Sequence, residues 1–196
     1  MLNKLFDKIT GSADASTQRM KALQGSESAD LAATLLCAPT ALMQLSTEEA
    51  KVVVSYMQPR KIPMGTVFIK EGDARDTGYM LLVLDGEVTV ENIVVSRTSA
   101  VTVNVLGAGS LIGEMGLVDG EPRSATCTAT TDVRGAVLTR QALEELMNDE
   151  PRIGGQLMMA VSLRIAQRLR DTADKLKLYS QLTRAMQQEI DRLMPT

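Results

Sequence analysis

Histidine is absent from this 196-residue chain, and so is tryptophan. The first absence removes the commonest general acid–base group and the commonest metal ligand. The second, with aromatics at 3% of residues, leaves little on which nucleic-acid bases could stack. An excess of positive charge is missing too. Lys and Arg number 21 against 24 Asp and Glu, a formal net charge of -3, so there is no global basic footprint for nucleic acid. No apolar run approaches the ~18–20 residues of a membrane span. The opening "MLNKLFDKIT" lacks the long apolar stretch and cleavage site of a signal peptide. The two cysteines, Cys37 and Cys127, are far apart and outside metal-ligand spacing, and are expected to be buried reduced thiols. With no nucleophile motif and no metal cluster, no catalytic constellation is present, and an enzyme is not expected. The expectation is a soluble, cytoplasmic protein.

What remains divides into three territories. The first 58 or so residues read as helical. "LNKLFDKI" places Leu2, Leu5, Phe6 and Ile9 on one side, and "ADLAATLLCAPTALMQL" is helix-like until Pro39. "STEEAKVVVSYM" opens with a capping signature, Ser46 followed three residues later by Glu49. From 59 to about 140, short β-branched runs alternate with glycine turns such as "EGD", "LDGEV" and "LGAGS". That spacing means many short strands, hence a barrel or sandwich, with the hairpin loop around Arg97 solvated. Beyond 140 the chain returns to helix. Gln141 to Asn148 reads as a short helix, and Pro151 suits the first position of the next.

That last helix carries a heptad. Met158, Ser162, Ile165, Leu169, Thr172, Leu176, Tyr179, Thr183, Met186, Ile190 and Leu193 follow one another at alternating steps of four and three. Two readings are open: a helix that docks partly on its own barrel and frays beyond it, or a parallel two-stranded coiled coil and therefore a homodimer. The dimer is favoured. The hydroxyls in the seam, Ser162, Thr172 and Thr183, fit a register-setting role or contact with a ligand.

Between strands and helices stands "GEMGLVDGEPRSAT", residues 113–126. Glu114 sits between two glycines, nine residues before Arg123. The two charges fit a plain surface ion pair, or a joint grip on a third group. For the second reading, a glycine-rich segment entering a short helix points backbone N–H groups outward, a nest for phosphate. Arg123 adds a planar cationic fork. Glu114 makes sense beside such a site if it accepts from a neighbouring hydroxyl, such as a ribose 2′-OH. One arginine suits a singly charged cyclic phosphodiester better than a triphosphate, and no P-loop lysine motif is present.

The stretch resembles the phosphate-binding cassette of the cyclic nucleotide-binding domain family, in which an apolar residue, Gly-Glu, an apolar residue, a small residue and Leu precede a short run and Arg-(small)-Ala. Here it reads "IGEMGLVDGEPRSAT", with Ile112 where the family usually has Phe. "IPMGTVFIKEGDARDTGYMLLVLDGEVTV" and "VNVLGAGSLIGE" resemble the family's preceding strands and turns. The resemblance covers about residues 42 to 176. It implies an α+β fold with an eight-stranded antiparallel β-roll at 42–150; the N-terminal helical extension at 1–41 lies outside the resemblance, and the heptad makes the long C-terminal helix at 151–196 the expected dimerisation helix. The resemblance implies that Glu114 takes the ribose 2′-OH, Arg123 the cyclic phosphate and Ser124 adds a hydroxyl, with backbone groups of Gly113 and Met115 lining the pocket. It makes Thr172 the candidate for the base. The ligand expected is cyclic AMP, with cyclic GMP open; no cofactor or metal is expected. No helix-turn-helix follows the last helix in this sequence, so DNA binding is not expected and the output is expected to pass to a partner protein. A degenerate, non-binding dimeric scaffold is the alternative.

Overall fold

The computed structural model describes residues 17–39, 41, 42, 44–92 and 101–193. The amphipathic piece at 2–9 and the loop around Arg97 lie outside them. Helix α1 covers residues 17–23, followed by α2 (Glu27–Leu36) and α3 (Thr47–Val54). The expected capping box forms at α3. Ser46 Oγ accepts from Glu49 N at 3.3 Å, and Glu49 Oε2 accepts from Ser46 N at 3.0 Å. Two orphan amides of the first turn are satisfied this way, and the backbone bond to Ser46 is the main reason the Glu49 carboxyl titrates below its usual range.

Eight strands follow: β1 (Gln58–Ile62), β2 (Val67–Ile69), β3 (Tyr79–Asp85), β4 (Val88–Asn92), β5 (Val101–Leu106), β6 (Leu111–Ile112), β7 (Thr126–Ala129) and β8 (Val133–Thr139). They form two antiparallel four-stranded sheets, ordered β1-β8-β3-β6 and β2-β7-β4-β5. Leu81 pairs with Val137 on one side and Ile112 on the other, and Val90 pairs with Cys127. The interior between the sheets holds Ile62, Ile69, Tyr79, Leu81, Val83, Val88, Ile112, Cys127, Val133 and Val137. Strand β3 is buried from Tyr79 to Val83, both odd and even positions. Its alternate residues Met80 and Leu82 face away from that interior, and α2 and the short helix α4 (Glu114–Asp119) pack against the strand. A strand covered on both faces reads as a continuous apolar run, here "YMLLVL".

Turn glycines at 65, 72, 86 and 109 all take positive φ, as the turn signals required. Neither cysteine forms a disulfide; Cys127 is buried as expected, but Cys37 at the end of α2 is only partly so. Helix α5 (Arg140–Asp149) is capped by Thr139, whose Oγ1 accepts from Ala142 N at 3.2 Å. Helix α6 runs from Pro151 to Leu193. The chain resolves into two compact units, Met1–Val161 and Ser162–Thr196. Ile153, Leu157, Ala160 and Val161 are buried in the first. In the second, Leu169, Leu176, Tyr179, Met186, Ile190 and Leu193 of the heptad are exposed. Among the described residues no helix is long and apolar enough to cross a membrane.

Candidate functional site

The stretch that joins the two sheets, β6–α4–β7, carries the two charges singled out in the sequence. Gly113 caps α4 at φ 80°, ψ 14°, a left-handed conformation that glycine adopts without a Cβ penalty. The helix that starts there has only six residues, and its first turn leaves backbone N–H groups without helical partners. Glu114 is fully buried and Arg123 is 6% exposed. A surface ion pair is therefore excluded: both charges are inside.

Arg123 spends its fork on the backbone. Nε and Nη2 donate to the Asp76 carbonyl at 3.2 and 2.9 Å, Nη1 to Gly113 O at 3.0 Å, and Nη2 also to Tyr79 O at 3.1 Å. Its guanidinium carbon stands 4.4 Å from the centre of the Tyr79 ring. Charge-assisted bonds to carbonyls and an aromatic face together offset the cost of taking the cation out of water. The chain's own backbone is tied in as well. Gly72 N donates to Arg123 O at 2.8 Å and Arg123 N to Asp73 O at 3.0 Å. The Glu-Gly-Asp turn is thus clamped onto the arginine. Asp73 holds that turn by accepting from Arg75 N at 3.0 Å, a bond that lowers its own carboxyl pKa.

The two glycines around Glu114 acquire a specific reason. A Cβ at 113 would lie 2.7 Å from Arg123 Nη1, and one at 116 would lie 2.9 Å from the same atom and 2.7 Å from Thr77 O. In this structure the close approach they permit is that of the Arg123 guanidinium.

The structure brings Gly113, Glu114 and Arg123 together. Met115 follows on α4, 38% exposed, and Ser124 is exposed directly after the arginine. Thr172 lies in the second unit, exposed, with Oγ1 donating to Arg168 O at 2.8 Å, an ordinary bond along its own helix. Sequence reasoning missed Asp76, Tyr79 and Arg140. Asp76 and Tyr79 act through their carbonyls, which any residue carries, so no side-chain signal marked them. Arg140, at the start of α5, donates from Nη2 to Gly116 O at 3.0 Å, and its amide to Gly78 O at 2.7 Å. The cleft between α1, α2 and α3, lined by Met20, Leu23, Lys51 and Val54 among others, has a volume of about 300 Å³ and holds none of the singled-out residues.

The model of the cyclic nucleotide-binding domain family matches residues 59–150. A solved cyclic nucleotide-binding domain from Methylobacillus flagellatus is 36% identical, with a TM-score of 0.62 over 69% of this chain and 74% of that one. A cyclic nucleotide-gated potassium channel of Rhizobium etli is 33% identical over 119 residues, 61% of this chain. A CRP-like cAMP-activated global transcriptional regulator of Mycobacterium tuberculosis is 28% identical over 123 residues, 62% of this chain. The chain spans 31% of the channel and 53% of the regulator, so the likeness covers only part of each.

Proposed function

This chain belongs to the cyclic nucleotide-binding domain family, and on that premise we propose that it is a cytoplasmic receptor for a cyclic mononucleotide, cyclic AMP before cyclic GMP. It acts by binding rather than by catalysis. The observation that carries this is the buried pair of charges on the β6–α4–β7 stretch, Glu114 at 0% and Arg123 at 6% exposure. Burying two ionisable groups is costly and is retained where they serve a site or a specific conformation. Glu114 would accept the ribose 2′-OH, Arg123 would bond the cyclic phosphate, and the amides of the first turn of α4 would add donors. Ser124, exposed directly after the arginine, would contribute its hydroxyl. The names of relatives from two output classes, a channel and a transcriptional regulator, support the ligand class and leave the output to whatever is coupled to the module.

The receptor works as a homodimer. The apolar heptad positions from Leu169 to Leu193 are exposed in the single chain, and a parallel partner helix would cover them. The ligand would then favour one helix arrangement by its differential affinity, and a partner protein would read that arrangement.

One observation favours a second reading. Four bonds from the Arg123 fork already go to backbone carbonyls, and a degenerate, non-binding dimeric scaffold would keep just such an arginine for its structure. Titration calorimetry with cyclic AMP and cyclic GMP separates the two. A receptor gives saturable binding, and at about 100 times the Kd the fold gains ~2.7 kcal/mol. No heat and no melting shift at millimolar concentrations of either nucleotide would leave the scaffold.

A further inference from the structure

A second arginine reaches the ring against which Arg123 stands. On β1, Gln58, Arg60 and Ile62 pair with Val137, Gly135 and Val133 of β8. Val137, Gly135 and Thr139 in turn pair with Leu81, Val83 and Tyr79 of β3. Ile62, Val133, Val137, Leu81, Val83 and Tyr79 all belong to the interior cluster. Alternation along a strand therefore puts Arg60 on the inner face. It is half-buried there, and its guanidinium carbon lies 5.3 Å from the centre of the Tyr79 ring. The same ring stands 4.4 Å from the guanidinium carbon of Arg123. Tyr79 is itself 4% exposed and pinned at its far end, where its hydroxyl donates to Phe68 O at 2.9 Å. Burial raises the phenol pKa, and the charges of Arg60 and Arg123 both oppose that rise, ahead of a contrary push from Asp76. Both guanidinium groups thus act on one fixed ring.

We propose that Arg60 and Tyr79 are positioning residues for Arg123. The Tyr79 ring and carbonyl fix the guanidinium plane, and Arg60 fixes the ring and adds a second positive charge to a site that takes an anion. Cations on an aromatic face gain most when desolvated, which is the setting here. The ligand side of the inference rests on the cyclic-nucleotide reading above.

The test has two arms, one with nucleotide and one without. In the first, cyclic AMP is titrated into wild type, Arg60→Gln, Arg60→Lys, Tyr79→Phe and Tyr79→Leu at several salt concentrations. Tyr79→Phe keeps the ring and is expected within about threefold of wild type. Arg60→Gln and Tyr79→Leu are each expected to weaken binding about tenfold. Arg60→Gln also flattens the salt dependence and Arg60→Lys restores it, which a purely structural role would not do. In the second arm, exchange of the Arg123 Nε–H is followed by nitrogen-15 NMR on ligand-free protein, with the resonance assigned by its loss in Arg123→Lys. Slow exchange in wild type and Tyr79→Phe, and faster exchange in Tyr79→Leu and in Arg60→Gln, is the expected result. If wild type binds no cyclic nucleotide, the receptor reading fails while the exchange arm still decides the positioning. Unchanged Arg123 exchange in Tyr79→Leu and in Arg60→Gln overturns the proposal, as does wild-type affinity and salt slope in Arg60→Gln. Should Tyr79→Leu fail to fold, Arg60→Gln carries both arms.

Discussion

Replacing Gly116 by alanine adds one methyl group where two fixed groups already stand. Gly116 has an ordinary helical φ, so the backbone accepts alanine without strain; the cost is steric alone. The new Cβ would sit 2.7 Å from Thr77 O, 2.9 Å from Arg123 Nη1 and 3.4 Å from the guanidinium carbon. Thr77 O is backbone and gives way only if the 73–78 turn moves. Arg123 is a flexible side chain in principle, but here bonds to Asp76, Gly113 and Tyr79 hold it. Overpacking of this kind costs about 2 kcal/mol, within a range of roughly 1–3. For a chain of this size that corresponds to a fall in Tm of roughly 4–8 °C. Two other glycines serve as controls for different physics. Gly155 lies in α6 with nothing within 4 Å of an added Cβ, so Gly155→Ala should stabilise by about 1 kcal/mol through helix propensity. Gly65 is equally open but sits at φ 79°, so Gly65→Ala should cost about 1 kcal/mol through backbone strain alone. Scanning calorimetry on the three variants gives the order Gly155→Ala, wild type, Gly65→Ala, Gly116→Ala from most to least stable. A Gly116→Ala protein that melts within a degree of wild type would refute the packing argument around Arg123.

Ser46→Ala should lower stability by about 1 kcal/mol in urea unfolding, because it removes the side-chain half of the α3 capping box. Glu49, Asp73 and Glu145 all have folded pKa values below their usual ones, owing first to the backbone bond from Ser46, the backbone bond from Arg75 and the side-chain bond from Arg19. Their contribution is present above the unfolded carboxyl pKa of about 4 and is lost as pH falls through the lower folded values. Urea midpoints should therefore drop below about pH 4.5, with a shallower slope in Glu145→Gln. Tyr56→Phe should cost about 1 kcal/mol, since the bond the hydroxyl donates to Asp149 Oδ2 at 3.0 Å is lost while the ring keeps the Arg19 guanidinium 4.4 Å above it. Sedimentation equilibrium should find a dimer at micromolar concentration, and Leu176→Glu, at an exposed heptad position, should return monomers; a wild-type monomer at that concentration would remove the coiled coil.

Local chemistry was enough to place most elements. Ser46 with Glu49, Pro151, and the turn glycines at 65, 72, 86 and 109 each act within a few residues of themselves, so their consequences could be read from sequence neighbours alone. The short strands were legible for the same reason, as β-branched runs between glycine turns, whereas their number, eight, came only with the family resemblance that the cassette carries. The heptad was legible as a pattern, since spacing is a property of one chain. What the tertiary structure decided is the wiring of the site. Glu114 and Arg123 are nine residues apart and free to pair at a surface, yet the fold buries both and sends the arginine to carbonyls 44 and 47 residues away. Carbonyl acceptors carry no sequence signature, and neither does the ring face of Tyr79 or the inner orientation of Arg60, which strand register sets. Gly113 and Gly116 show in sequence only that something must come close; packing alone determines that it is Arg123 at both and, nearer still at 116, the Thr77 carbonyl.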